Sequence, residues 1–198
     1  MITAEKTSGF CLVLSAPSGT GKTTIAEALI ASEPLVTRSI SMTTRARREN
    51  EVEGEDYLFV SETTFRQMIV QEGFLEWAQV HSDYYGTPRK PVEDAIASGQ
   101  VALLVIDVQG GQSVKALFPD AVLVFLMPPS MESLERRLQA RGTEPAAVIR
   151  KRLDQAEHEI KYLSQYSYGV INEDNRQEKT VGDIKSIIAA ERCRVNRQ

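Results

Sequence analysis

The chain has 198 residues, 42% hydrophobic and 25% charged, with a formal net charge of -4, which suits one soluble globular domain with a sizeable core. That balance leaves no global basic field for a nucleic-acid polymer, and no apolar run approaches the ~18 residues that a membrane helix needs. Cys11 and Cys193 are too few and too far apart for a disulfide framework or a zinc site, and Met1 to Gly9 lacks the pattern of a signal peptide, so a cytosolic protein is expected.

The first predicted element is a buried strand, Phe10-Cys11-Leu12-Val13-Leu14, with Cys11 as plain core. It runs directly into Ser15-Ala16-Pro17-Ser18-Gly19-Thr20-Gly21-Lys22-Thr23-Thr24. A glycine-rich loop there lets consecutive backbone N–H groups turn inward around a nucleotide's phosphates. Lys22 adds a full positive charge, and the Thr23 hydroxyl can ligate the Mg²⁺ that travels with ATP. Ala16 stands where such loops usually open on glycine. The helix expected at 22–32 brings its positive dipole end to the same place.

Residues 36–90 then break the rhythm, with short strands at 57–60, 74–80 and 83–87 and a helix near 61–71. Such a mixed, β-rich stretch reads as an inserted subdomain. Beyond it, strands at 101–106, 121–127 and 168–172 alternate with helices at 109–118, 130–140, 146–163 and 177–194. Strand–helix alternation opened by a phosphate loop predicts an α/β fold with a doubly wound parallel sheet. A smaller break, Arg141-Gly142-Thr143-Glu144-Pro145, reads as a mobile lid, and no repeat or low-complexity linker appears.

Two basic clusters stand out in an acidic protein: Arg38, Arg45, Arg47 and Arg48, then Arg136, Arg137, Arg141, Arg150, Lys151 and Arg152. Local clusters of this kind suit a small polyanion better than a polymer.

Taken together, these pieces resemble the guanylate kinase family in its bacterial form, over essentially the whole chain. The resemblance rests on the phosphate loop, Ser41-Met42-Thr43-Thr44-Arg45, Glu53-Gly54-Glu55-Asp56-Tyr57-Leu58-Phe59-Val60, Phe74-Leu75-Glu76-Trp77-Ala78 and Tyr84-Tyr85-Gly86-Thr87. It continues through Ile106-Asp107-Val108-Gln109-Gly110 and Arg141-Gly142-Thr143-Glu144. It implies transfer of the γ-phosphoryl of ATP to GMP, and to dGMP, within purine nucleotide metabolism, with Mg²⁺ as cofactor. It also implies a GMP-binding region at 36–90 and a lid about 141–152. Nucleotides are then the expected partners, with no nucleic acid and no membrane, and with room left for a homo-oligomer.

The resemblance assigns roles to residues. Residues 16–24 hold ATP, and Lys22, Arg141 and Arg152 surround the transferring phosphoryl group. Arg45, Arg48, Tyr57 and Tyr85 clamp the GMP phosphate, through arginine forks and phenol donors. Glu76 reads the base, since an ionised carboxylate only accepts hydrogen bonds and guanine offers N1–H and the N2 amine. Ser41 and Thr87 complete base recognition. Asp107, at a strand end, holds Mg²⁺ through water, with Thr23 as the other metal-side residue, and Asn172 at a similar strand end could orient the nucleotide. Taken alone, Glu76 is an ordinary edge-strand residue and the two lid arginines a solvated face. His81 and His158 are read as incidental.

Three features depart from the family pattern: Val105 where an acid is common, Arg47-Arg48-Glu49-Asn50 in place of a stiffer turn, and Met42. Two other readings stay open. A non-catalytic module of the same family would have lost the ATP loop and lid residues, which this chain keeps. A kinase for another phosphorylated small molecule, such as a sugar phosphate, is opposed by Glu76, Ser41 and Thr87.

Overall fold

The chain enters as β1 (Phe10–Ser15), buried at every position because it is flanked on both sides by parallel neighbours and covered on both faces. The structure, a computed structural model, describes residues 9–140 and 145–195. After the loop comes α1 (Lys22–Ser32), then β2 (Val36–Arg38), β3 (Met42–Thr43), β4 (Leu58–Phe59), α2 (Glu62–Val70), β5 (Phe74–Val80), β6 (Asp83–Pro88) and α3 (Arg89–Ala97). The second half runs β7 (Val101–Val105), α4 (Val108–Leu117), β8 (Val122–Met127), α5 (Met131–Ala140), α6 (Ala146–Ile160), a 3₁₀ turn at Lys161–Gln165, β9 (Tyr168–Ile171) and α7 (Gln177–Arg192).

The larger sheet has strand order β2-β7-β1-β8-β9, all parallel. Alternation along its strands feeds two cores. Leu12, Leu14, Leu103, Val124 and Leu126 face Ile25 and Leu29 of α1 and Ile184 and Ile188 of α7. Cys11, Val13, Leu104 and Leu123 face Val92 and Ala95 of α3 and Val114 of α4. Burial pushes the Cys11 thiol up to about 12, as befits a core residue.

The smaller sheet, β4-β3-β6-β5, has its own core, with Phe65 stacked on Phe74 and Tyr84 at 4.4 and 5.5 Å between ring centroids. It is not independent of the rest, because Leu75 of β5 packs into the core beneath α3 and α4. One expected boundary is corrected here. Val36–Arg38 pairs with β7 in the larger sheet, so the mixed stretch departs from the core only after Arg38. The expected helix over 146–163 also divides, into α6 and the 3₁₀ turn.

Candidate active site

Parallel sheets of this kind bind ligands at the carboxyl ends of their strands, where the direction of winding reverses. Here β1 lies between β7 and β8, and the glycine-rich loop expected to bind phosphate leaves its carboxyl end. Gly19 and Gly21 adopt φ of 91° and 96°, a region that favours glycine, and a turn closes from Thr20 N–H to the Pro17 carbonyl at 3.1 Å. Gly21 caps α1, whose first residues are Lys22 and Thr23; the Thr23 and Thr24 side chains are exposed. Ala16 and Pro17 are buried and Ser18 exposed.

The Lys22 ammonium donates to the main-chain carbonyl of Ile106 at 3.0 Å. Burial lowers its pKa, and the charges of Asp107 and Glu159 oppose that fall. Asp107 sits at the carboxyl end of β7, and its Oδ1 accepts from Gly110 N–H at 2.8 Å, capping α4. One carboxylate oxygen is thus committed to the fold. Arg152 of α6 reaches the loop, donating to Ser18 Oγ at 3.0 Å. Arg141 lies outside the described residues.

Four of the residues expected to bind the acceptor, Ser41, Tyr57, Glu76 and Tyr85, line a cleft of about 380 Å³ between the two sheets together with Lys22 and Asp107, whereas Arg45, Arg48 and Thr87 do not line it. Glu76 and Thr87 face one another in register across β5 and β6, and Thr87 Oγ1 donates to Glu76 Oε1 at 2.5 Å. Burial raises the Glu76 pKa most, the Thr87 bond lowers it, and Asp107 raises it further. The backbone of Ser41 holds β4 through its carbonyl, which accepts from Leu58 N–H at 2.9 Å. Val105, half-buried, lines the cleft beside Asp107 and packs against the core of the α1 face. A larger hollow of about 1250 Å³ lies between α1 and α7, but neither residues 16–24 nor Arg45, Tyr57, Glu76 or Tyr85 line it.

At the cleft's rim the Tyr57 and Tyr85 rings meet edge-on, 5.9 Å apart, and the Arg45 guanidinium stands 5.7 Å from the Tyr57 ring centroid. Burial pushes the Tyr57 phenol up, and so does neighbouring Tyr85. Arg45 pairs with Glu51 at 2.6 Å, and this pairing, against some desolvation, holds its pKa further up. Arg48 is exposed, and its backbone N–H donates to the other Glu51 oxygen at 2.9 Å. Sequence reasoning passed over Glu51, whose signal was an acid three and six residues after the two arginines.

It placed Arg137 in the second basic cluster but gave it no role of its own. This side chain donates to Asp174 at 2.8 Å, to the Thr20 carbonyl at 3.1 Å and to the Asn172 carbonyl at 2.7 Å. Asn172 bonds the loop rather than pointing at free space: its Nδ2 donates to the Thr20 carbonyl at 2.7 Å. Both histidines are exposed, His81 at the β5–β6 turn and His158 on α6.

Comparison with known proteins matches this arrangement. The guanylate kinase family model covers residues 8–191. The guanylate kinase of Caldanaerobacter subterraneus subsp. tengcongensis is 47% identical over 97% of this chain and 92% of its own, and that of Myxococcus xanthus 47% over 96% and 90%. A crystal structure of guanylate kinase from Anaplasma phagocytophilum superimposes with a TM-score of 0.78 at 36% identity, covering 98% of this chain and 91% of that one. The chain belongs to the guanylate kinase family.

Proposed function

We propose that this guanylate kinase transfers the γ-phosphoryl group of ATP to GMP in the cleft between its two sheets, giving ADP and GDP. One observation supports the residue assignments above all. A single cleft joins the carboxylate that suits guanine, Glu76, to the ammonium that suits ATP phosphates, Lys22, and to the carboxylate Asp107. The region from Ser39 to about 90 acts as the acceptor-binding subdomain, and the segment from Arg141 to Arg152 as the lid.

Each residue then has a task. Glu76, oriented by Thr87, accepts from N1–H and the N2 amine of guanine, with the Ser41 hydroxyl nearby. Arg45, Arg48, Tyr57 and Tyr85 hold the GMP phosphate. Arg45 exchanges Glu51 for that phosphate, a dianion with more acceptor oxygens. The backbone N–H groups of residues 16–24 and Lys22 hold the ATP phosphates. An oxygen of the GMP phosphate attacks the γ-phosphorus, and the bond to the β–γ bridging oxygen breaks, leaving its electron pair on ADP. Charge on the equatorial oxygens is met by Lys22, Arg152 and Arg141, because phosphoryl transfer depends on positioning and positive charge more than on covalent catalysis. Guanine and phosphate carry the recognition, so dGMP is an acceptor as well.

The residues present fit Mg²⁺. Among the described residues no three acids or histidines gather into a metal cage, and Mg²⁺ in kinases is held by one or two protein oxygens, substrate phosphates and water. The exposed Thr23 hydroxyl and the uncommitted Asp107 oxygen would hold it, the second through water. When bound, it supplies positive charge to the phosphate oxygens.

A coupled ADP-release assay with GMP, dGMP, AMP, CMP, UMP and sugar phosphates tests this reading. Turnover confined to GMP and dGMP is the expected outcome. Comparable turnover of AMP or of a sugar phosphate would overturn it.

A further inference from the structure

The Thr20 carbonyl, in the middle of the phosphate loop, accepts two hydrogen bonds, from Arg137 Nη1 at 3.1 Å and from Asn172 Nδ2 at 2.7 Å. Its two acceptor positions are therefore filled. The described residues contain no cis peptide, and in a trans peptide the C=O and N–H groups point in opposite directions. With the Thr20 carbonyl held toward Arg137 of α5 and Asn172 beyond β9, the N–H of Gly21 faces the other way, away from both donors.

The loop needs this restraint because of its own glycines. Gly19 and Gly21 both sit at positive φ, and glycine visits either sign of φ at little cost. Rotation of the Thr20–Gly21 peptide turns ψ of Thr20 and φ of Gly21, and the glycine on its far side keeps that rotation cheap. A rotated peptide would present a carbonyl oxygen to the phosphates in place of a donor.

We propose that Arg137 and Asn172 are positioning residues for ATP, fixing the Gly21 amide as a phosphate donor by holding the Thr20 carbonyl outward. The inference rests on the reading of residues 16–24 as the ATP loop. The two donors are themselves locked. Arg137 is held by Asp174 at 2.8 Å and by the Asn172 carbonyl at 2.7 Å, and the second Asp174 oxygen accepts from Ser133 Oγ at 3.0 Å. Asn172 Oδ1 accepts from Thr180 Oγ1 at 3.1 Å, which orients the amide with its Nδ2 toward the loop. A guanidinium can serve three acceptors in one plane, which an ammonium cannot do with the same geometry. Space is tight as well: a Cβ on Gly21 would stand 2.8 Å from Asn172 Nδ2. Because Arg137 and Asp174 join the lid-bearing helix α5 to the end of β9, the same contacts tie the loop to the base of the lid.

The test compares Arg137→Lys, Asn172→Ala and the double variant with the wild type, by steady-state kinetics and by calorimetric titration with ATP, inorganic tripolyphosphate and GMP. Each single variant should raise the KM for ATP by about tenfold, the loss expected for one strong hydrogen bond in the site. Tripolyphosphate should weaken in parallel and GMP should change by less than about twofold. The double variant should lose less than the product of the singles, because both donors act on one carbonyl. Should Arg137→Lys fail to fold, Asn172→Ala and Asp174→Asn carry the test, the latter loosening Arg137 while leaving both donors in place. Unchanged binding of ATP and tripolyphosphate with a lowered Tm, or equal losses for ATP and GMP, would overturn the proposal. A wild-type protein that binds neither ATP nor tripolyphosphate would overturn the loop reading itself.

Discussion

Glu76 and Gly110 meet where the smaller sheet abuts the first turn of α4: a Cβ on Gly110 would stand 3.3 Å from Glu76 Oε2. The Glu76 carboxylate, proposed to read the base, is thus braced on one side by Thr87 and on the other by Gly110 in the first turn of α4. That helix end carries partial positive charge, which favours the ionised acid, while burial and Asp107 oppose it.

Gly110→Ala should separate positioning from stability. Alanine in a helix is favoured over glycine by about 1 kcal/mol, so the fold should not weaken appreciably. The new methyl must displace either Glu76 or the Ile106 Cδ1, also 3.3 Å away. The expected result is a fall of about tenfold in kcat/KM for GMP with the KM for ATP unchanged, a split that steady-state kinetics reads directly. Equal changes for both substrates would mean that the contact serves packing alone.

Glu76 also sets a pH dependence. Its carboxyl titrates above the ordinary carboxylate range, chiefly through burial. Guanine needs the ionised form, so kcat/KM for GMP should fall as pH drops through that raised pKa, and Glu76→Gln should remove this acid limb. The stability effect has the opposite sign. A folded-state pKa raised above the unfolded value contributes stability below the unfolded pKa, and that contribution is lost as pH rises through the folded one. Glu76→Gln should therefore stabilise the protein at neutral pH, as measured by the urea midpoint.

Lys22→Met should lower kcat by about 10²–10³-fold, since the ammonium meets charge that develops on the transferring group. GMP binding by calorimetry should persist, because Glu76 and the Arg45 clamp do not depend on that bond. Near-wild-type turnover would remove Lys22 from the mechanism.

How far the sequence could be read follows from what each element buries. The central strands announce themselves as unbroken apolar runs because neighbours and helices cover both their faces, as with Leu12, Leu103 and Leu123. At the edge of the sheet β2 buries only Val36 fully, so its Val-Thr-Arg carries no such signal. Helix α3 went unpredicted because Pro91 and a largely polar surface surround its two buried residues, Val92 and Ala95. The site divides in the same way. Lys22 lies in a loop whose own spacing marks it, Glu76 and Tyr57 stand out only through the family resemblance, and Arg137 bonds a carbonyl 117 residues away in the chain, which no local pattern encodes. Asp107 was legible as a strand-end acid, but its role as the cap of α4 depends on where the helix begins.

Val105→Asp tests the departure that lines the cleft. Val105 pairs in register with Leu14 and packs against the core of the α1 face. A carboxylate there would lie partly in apolar surroundings, near the negative charges of Glu76 and Asp107. A destabilisation of about 1–3 kcal/mol is expected, read as a lower urea midpoint, without tighter binding of GMP. An unchanged midpoint with a lower KM for GMP would show that the site is hydrated and accepts the acid.

The most direct test of the account is the ratio of kcat/KM for GMP to that for AMP, measured with ATP in the wild type and in Glu76→Gln. In the wild type AMP leaves the carboxylate without its partners, a mismatch worth about 10⁴-fold or more in a buried site. An uncharged amide that turns its NH₂ toward guanine's donors forfeits the charge-assisted pair, so the ratio should fall by about a hundredfold, with the loss carried by GMP. A ratio that stays at the wild-type value would contradict the assignment of Glu76, and with it the reading of this cleft as the guanine site.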